Sequence, residues 1–156
     1  MALADLIAQN AVLPALKANS KKQLLQEMSA KAAALTGLPE REIFDVILQR
    51  ERLGSTGVGN GIAIPHGKMP SLDKIVGLFA RLETPVDFEA LDDQPVDMVV
   101  LLLAPEGAGA DHLKALSRIA RIMRDADLVE KMRVTSDAEA LYAFLTDTAV
   151  SSSNAA

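Results

Sequence analysis

The polar and apolar positions in the first third of the chain predict two helices. Residues 20–23 (SKKQ) have the form of a capping box, and Gly37 stands where the helix that they start would end. Pro39 is well placed as the first residue of a second helix, predicted to reach about Arg52 with Gly54 past its end. At about 100° per residue, the apolar side chains of this second helix define one broad face: Ile43, Phe44, Val46, Ile47, Leu48 and Leu53.

Beyond a glycine-rich loop at residues 54–61, the apolar residues form short continuous runs, which are typical of strands. Three strands are predicted, over residues 62–64, 75–82 and 97–103. The last of them, DMVVLLL, suits a strand that is covered on both faces.

Two further helices are predicted in the last third of the chain. One begins with Asp111 as its N-cap and runs to about Arg124, and a capping box at residues 136–139 (SDAE) opens another that runs to about Thr146. Helices on either side of a small mixed β-sheet make an α/β sandwich, so we predict a single domain over residues 1–149. The small, polar end of the chain, residues 150–156, is predicted to be disordered.

The composition of the 156 residues excludes several classes of protein. With no Trp, one Tyr, four Phe and a net charge of −5, the chain lacks the aromatic platforms and the basic surface of nucleic-acid binding. No apolar run approaches the roughly 18 residues of a membrane span, and no signal peptide is visible. The absence of cysteine excludes thiolate chemistry and fits a cytoplasmic protein. We expect neither a nucleic acid nor a membrane as a partner.

One segment, GNGIAIPHGKMP at residues 59–70, carries the strongest chemical signal. The chain has two histidines, and His66 lies between the stiff Pro65 and the permissive Gly67. Pro65 cannot donate to a sheet ladder, so the predicted strand ends there or lies at an edge. Ligands of open α/β sheets gather beyond the carboxyl ends of strands. With several glycines nearby, this setting favours a functional imidazole over a histidine in a surface turn.

Two more polar residues point toward the predicted core. Arg50 falls within roughly 35° of the middle of the apolar face of the second helix, where an unpaired charge is costly. An arginine snorkelling at a helix end is an equally good interpretation. His112 heads an apolar stripe in a first helical turn, where the dipole favours anions and a neutral imidazole. Taken alone, His112 is slightly better interpreted as a satisfied core or turn histidine. Together with His66, this set would suit phosphoryl transfer to an imidazole.

Other motifs nearly fit and fail. Residues 61–68 resemble a P-loop, but the spacing of the glycines is one residue too long, and Met69 replaces the Mg²⁺-binding Ser or Thr. GVGNG at residues 57–61 does not complete G-x-G-x-x-G, because Ile62 occupies the last position. A metal site built from His66, His112 and Asp111 lacks a ligand-spacing signature, and no G-x-S-x-G occurs.

The stretch LGSTGVGNGIAIPHGK at residues 53–68 closely resembles the phosphorylation-site segment of the IIA domains of the bacterial phosphotransferase system. The resemblance covers roughly residues 3–147 and is greatest to the nitrogen-regulatory branch of the mannitol and fructose type. It implies that His66 accepts a phosphoryl group on Nε2 and that His112 donates a hydrogen bond near it. Arg50 matches an arginine that contacts the phosphoryl group or the partner.

Three loop residues match the same family less specifically. Asn60 stands where the mannitol domain tends to have a glutamate, which favours the nitrogen-regulatory branch. Ser55 and Thr56 fit the family loop, and all three are candidate phosphate contacts. The resemblance also implies an α/β sandwich with a mixed sheet.

The resulting hypothesis is a cytoplasmic, phosphoryl-accepting regulator that needs no metal and no cofactor. The resemblance implies a histidine-phosphorylated carrier of the HPr type as donor, and regulated partners such as kinases or potassium-transport components. Whether such a carrier protein counts as an enzyme is left open. A stand-alone sugar-specific IIA protein that passes phosphate to a IIB domain is one alternative, and a non-catalytic binding module is another.

Overall fold

The longest apolar run of the sequence forms the central strand of a six-stranded mixed sheet. A computed structural model describes residues 3–146. The strands are β1 (Ile7–Leu16), β2 (Gly57–Gly59), β3 (Ile62–Ala63), β4 (His66–Met69), β5 (Val76–Val86) and β6 (Val96–Pro105). Their order is β1-β5-β6-β3-β2, and β4 also pairs with β6.

Strand β6 is buried along almost its whole length, as expected for a strand with neighbours on both edges and helices over its faces. On one edge it pairs antiparallel with β5, with Ala80 opposite Val99. On the other edge it pairs in parallel with two short strands in succession, first β3 and then β4. The predicted strands over residues 62–64, 75–82 and 97–103 are thus confirmed with shifted ends.

Three strands are not predicted by the sequence pattern, and one of them is the short β2, which lies inside the predicted glycine-rich loop. Strand β1 pairs in parallel with β5, and its register shifts between Ile7 and Val12. Its residues do not alternate between buried and exposed positions, because three exposed residues follow Ile7 in a row. Strand β4 begins at His66, only two residues after Ile64, so the chain resumes sheet pairing where the pattern predicts a loop.

Five helices complete the fold: α1 (Lys21–Thr36), α2 (Glu40–Arg52), α3 (Ala110–Met123), α4 (Ala126–Arg133) and α5 (Ala138–Thr146). A 3-10 turn at Leu3–Asp5 precedes β1. Helix α1 has the predicted ends: the Ser20 hydroxyl accepts the N–H of Gln23, and Gly37 closes the helix with φ 78°. Pro39 is the N-cap of α2 and not its first helical residue, one position from the prediction.

The ends of the later helices correct the sequence interpretation. Helix α3 is capped by Gly109, without a side-chain hydrogen bond, so the prediction of Asp111 as N-cap is wrong. At α5, the carboxylate of Asp137 accepts the N–H of Ala140. Helix α4 is not predicted at all, although Asp125 caps it.

The mixed sheet flanked by helices confirms the predicted fold class. Among residues 3–146 no helix is long and apolar enough to cross a membrane. The predicted disordered tail at residues 150–156 lies outside the described residues.

Candidate functional site

The site forms where β3 stops and β4 begins along the same edge of β6. Residues 62–64 are aliphatic and β3 covers the first two of them, whereas Pro65 has no N–H to give to the ladder. The carbonyl of Pro65 still accepts the N–H of Leu102 at 3.0 Å, which keeps the chain beside β6. His66 then opens β4 opposite Leu102. The break therefore places the half-buried His66 side chain at a fixed point on the sheet edge.

The ring of His66 is oriented by the main chain. Its Nδ1 lies 2.9 Å from the carbonyl oxygen of Ile64. A carbonyl oxygen can only accept, so Nδ1 carries the proton and the neutral ring has its lone pair on Nε2. No hydrogen bond to Nε2 occurs within residues 3–146. The arrangement thus leaves one defined nitrogen able to act as a nucleophile.

The first turn of α3 brings the second histidine to the first. The ring centroids of His66 and His112 are 5.6 Å apart, with an interplanar angle of 72°. His112 is 6% exposed, and its buried Nε2 has no hydrogen-bond partner among the described residues. A buried polar atom without a partner carries a desolvation cost, which a ligand group at the site could relieve.

The end of α2 supplies the guanidinium. Arg50 donates from Nη1 to the carbonyl oxygen of Gly54 at 2.9 Å, in the turn that follows the helix. This is the one hydrogen bond that the Arg50 guanidinium makes within the described part of the chain, so most of its N–H donors are unused. The Arg50 charge acts on His66, and the His66 ring contacts the ring of His112, so the three side chains lie near one another.

Electrostatics keep both imidazoles neutral. Burial lowers the pKa of His66 below its usual 6.5, and the nearby Arg50 charge lowers it further, while the Ile64 hydrogen bond and the Glu51 charge partly offset this. Burial also lowers the pKa of His112, helped by His66 and by Lys68. A neutral imidazole is the nucleophilic form, so these shifts favour attack by His66 near neutral pH.

The three tentative loop residues have other partners. The Ser55 hydroxyl donates to the carbonyl of Phe88 at 2.8 Å. The buried Thr56 hydroxyl donates to the Glu51 carboxylate in a short hydrogen bond. Asn60 has φ 58°, and its N–H donates to Asp92 at 3.0 Å. None of these hydroxyl or backbone groups is directed to His66, so their contacts are with the fold and not with the imidazole.

Glu51 is the residue that the sequence interpretation misses. Its carboxylate accepts the N–H and the hydroxyl of Thr56 and lies 3.1 Å from the Lys21 ammonium, and its side chain is 2% exposed. A signal was available, because Ile43, Ile47 and Glu51 are spaced four apart and share one buried stripe of α2. A carboxylate on such a stripe must have partners inside the protein.

Gly67 has a packing role at this site. A Cβ at Gly67 would lie 2.4 Å from Cγ1 of Val46, so β4 approaches α2 more closely than any other residue allows. The close approach at Gly67 is therefore made by a helix of the same chain. It brings the sheet edge with His66 against the helix that carries Arg50.

Comparison with known proteins identifies the family. The family model described as "Phosphoenolpyruvate-dependent sugar phosphotransferase system, EIIA 2" matches residues 5–148. The chain belongs to this EIIA 2 family. Among relatives of this EIIA 2 protein, the nitrogen regulatory protein of Bradyrhizobium diazoefficiens is 66% identical over 145 residues, which cover 93% of this chain and 95% of the relative. The nitrogen regulatory protein of Escherichia coli K12 is 45% identical over 130 residues, covering 83% and 80% of the two chains.

Solved structures agree on the fold of this EIIA 2 protein. The nitrogen regulatory protein IIA-Ntr of Neisseria meningitidis superposes with a TM-score of 0.88 at 33% identity, over 92% of this chain and 99% of that one. The mannitol IIA protein of Escherichia coli superposes with a TM-score of 0.73 at 21% identity, over 88% and 96% of the two chains, which shows the shared fold alone. The predicted membership in the phosphotransferase IIA family, with similarity to nitrogen regulatory proteins, is confirmed.

Proposed function

We propose that His66 accepts a phosphoryl group from a histidine-phosphorylated carrier protein of the HPr type. The single observation that carries the proposal is the imidazole of His66, which is held through Nδ1 by the Ile64 carbonyl and lies near the Arg50 guanidinium and the ring of His112. Membership in the EIIA 2 family supports a phosphocarrier as the donor.

The transfer uses the lone pair of Nε2. This lone pair attacks phosphorus as the bond from phosphorus to the donor's ring nitrogen breaks, and the released electron pair stays on the donor's imidazole. Nδ1 of His66 keeps its proton and its hydrogen bond to Ile64 throughout. The Arg50 guanidinium and Nε2–H of His112 donate to the equatorial oxygens of the phosphoryl group, where negative charge is concentrated. The residues of this chain thus neutralise the group with no metal or cofactor.

Phosphorylation would change how the protein meets its partners. A phosphoryl group adds about −1.5 to −2 charges at neutral pH. Exposed leucines lie close to the site residues in sequence, because Leu53 is three residues after Arg50 and Leu113 directly follows His112. A partner that binds the uncharged surface is released by this change, and one with a basic surface is recruited. We propose that the protein regulates other cytoplasmic proteins in this way, among them kinases or potassium-transport components, as its similarity to nitrogen regulatory proteins supports.

The test of the transfer step is phosphorylation from a labelled carrier. The purified protein is incubated with a ³²P-phosphorylated HPr-type carrier, and we expect label that is acid-labile and base-stable on the wild type and absent from His66→Ala. Equal labelling of His66→Ala would contradict the mechanism, and no labelling of either protein would favour a binding module.

The regulatory step is tested separately. Wild-type protein in its phosphorylated and unphosphorylated forms is titrated against each candidate kinase or transport component, and we expect the two affinities to differ at least tenfold, which corresponds to about 1.4 kcal/mol. Equal affinities for every candidate would contradict regulation by these partners. Transfer of the label to a sugar-specific IIB domain would instead support the transport alternative.

A further inference from the structure

The geometry points to Glu51 as a positioning residue for phosphoryl transfer to His66, acting through the turn at residues 54–56. This inference rests on the proposed function of His66. Among the described residues no hydrogen bond joins Glu51 to the His66 ring, so its effect is carried by the main chain and by its charge.

The first step is the anchoring of the turn. One carboxylate oxygen of Glu51 accepts the Thr56 N–H at 3.1 Å, and the other accepts the Thr56 hydroxyl. The Lys21 ammonium lies 3.1 Å from the first oxygen and 4.6 Å from the centre of the Phe88 ring. Because the carboxylate is buried and paired on several sides, Thr56 has one fixed position relative to α2.

The second step connects this anchor to the nucleophile. The carbonyl of Thr56 accepts the N–H of Ile64 at 3.0 Å, and the carbonyl of Ile64 accepts Nδ1–H of His66 at 2.9 Å. A continuous series of hydrogen bonds therefore runs from the Glu51 carboxylate through two backbone carbonyls to the imidazole. Displacement of Thr56 would therefore move the Ile64 carbonyl, which selects the tautomer of His66 and orients its ring.

The third step connects the same turn, through the main chain, to the guanidinium. The N–H of Gly54 donates to the Glu51 carbonyl at 3.1 Å, and the Gly54 carbonyl accepts from Arg50 at 2.9 Å. Ser55 is held from its other side by Phe88. The turn thus sets the position of Arg50 as well as that of His66, so one anchor places both partners of the phosphoryl group.

A purely stabilising ion pair is the competing explanation, and four variants separate the two. Glu51→Gln removes the charge and keeps the shape. Thr56→Val removes only the hydroxyl, and Thr56→Ser restores it as the conservative control. Leu141→Ala, in the buried face of α5, serves as a variant that is destabilised through the core without altering the turn.

Each variant is assayed well below its unfolding temperature for the rate of phosphorylation from the labelled carrier. We expect Glu51→Gln to be about 10- to 100-fold slower, since small displacements of reacting groups have effects of this size. Thr56→Val should be several-fold slower, Thr56→Ser should recover most of that loss, and Leu141→Ala should keep the wild-type rate. Wild-type rates in Glu51→Gln and Thr56→Val would overturn the inference, and slowing of Leu141→Ala to the same degree would assign the effect to stability.

A measurement on the free protein keeps this test independent of the donor. ¹⁵N NMR of the imidazole nitrogens gives the tautomer and the titration of His66. The charged groups around it are Arg50 and Glu51 on α2, with His112 and Lys68 nearby. We expect a larger fraction of the Nε2–H tautomer and a lower pKa in Glu51→Gln, because the carboxylate charge raises the wild-type pKa. Unchanged spectra of Glu51→Gln would refute the inference, whatever the result with the carrier. Failure of the carrier to phosphorylate the wild type would count against the proposed function alone.

Discussion

At the end of α2 the buried carboxylate of Glu51 is bonded to Thr56 and Lys21, whereas at the start of α3 the buried Nε2 of His112 has no partner among the described residues. The cap of α3, Gly109, likewise contributes no side-chain hydrogen bond. A satisfied network is rigid and defines one conformation, while an unsatisfied donor carries a cost until a ligand meets it. The α2 side of the site is therefore fixed in advance, and the α3 side keeps hydrogen-bonding capacity for a group that arrives.

The largest expected effect comes from separating β4 from the α2 side. In Gly67→Ala the new Cβ would lie 2.4 Å from Cγ1 of Val46, a stiff β-branched side chain. We expect a loss of about 2 to 3 kcal/mol in the free energy of unfolding, measured by urea denaturation, as is typical of overpacking.

Two control variants accompany Gly67→Ala. Gly107→Ala introduces a Cβ with no atom within 4 Å and should leave stability nearly unchanged. Gly67→Ala combined with Val46→Ala should recover part of the loss, because the clashing methyl group is removed. A Gly67→Ala single variant as stable as the wild type would show that Val46 and α2 can move to make room, and would contradict a fixed α2 side.

An effect of intermediate size is expected on the α3 side, where a substitution should slow phosphoryl transfer without lowering stability. His112→Leu removes an imidazole whose buried Nε2 is unpaired, so the free energy of unfolding should be unchanged or slightly higher. Phosphorylation of His66 should slow about tenfold, the effect of losing one hydrogen bond to a charged group. Denaturation and labelling from the carrier measure the two quantities. His112→Gln, which keeps a donor, should retain more of the rate, and unfolding of His112→Leu would instead support a core histidine.

The smallest expected effect is a change in how stability depends on pH. Both histidines have a folded-state pKa below the usual 6.5. The unfolded chain therefore binds more protons than the folded chain as pH falls below 6.5, and stability decreases in that window down to the folded pKa values. Above 6.5 this contribution is fully present.

Urea denaturation at pH values from 8 to about 5 checks this dependence. The double variant His66→Gln with His112→Gln should show a flatter profile than the wild type in the histidine window, while the carboxylates still titrate at lower pH. Identical profiles would mean that neither imidazole is held neutral by the fold.

The local signals in the sequence predict the helices of the first half and the central strands well. Ser20, Gly37 and the continuous run of β6 act through nearest neighbours and burial, so their outcome depends little on distant parts of the chain. Strand β1 is different, because its residues pair with β5 across a register shift and carry no alternation of their own. Its place in the sheet is decided by a distant partner, which a local pattern does not contain.

The site likewise has features that the local sequence predicts and features that depend on distant residues. Helical spacing places Arg50 and His112 toward the interior, and the structure brings both to His66. The contacts of Ser55 and Thr56 are not contained in the loop sequence, because they depend on a carbonyl of Phe88 and a carboxylate of α2. The burial of Glu51 can be predicted from its position on the buried stripe of α2, but only the structure shows which groups surround it.

The interruption of the sheet at Pro65 has a consequence for the regiochemistry of the proposed reaction. Because Ile64 lies between β3 and β4, its carbonyl oxygen is available to the imidazole that follows. The main chain therefore selects which of two similar ring nitrogens is modified, and it does so before any partner binds. Exchange of the Ile64 side chain for another aliphatic one should leave that selection intact, since the selecting atom belongs to the backbone.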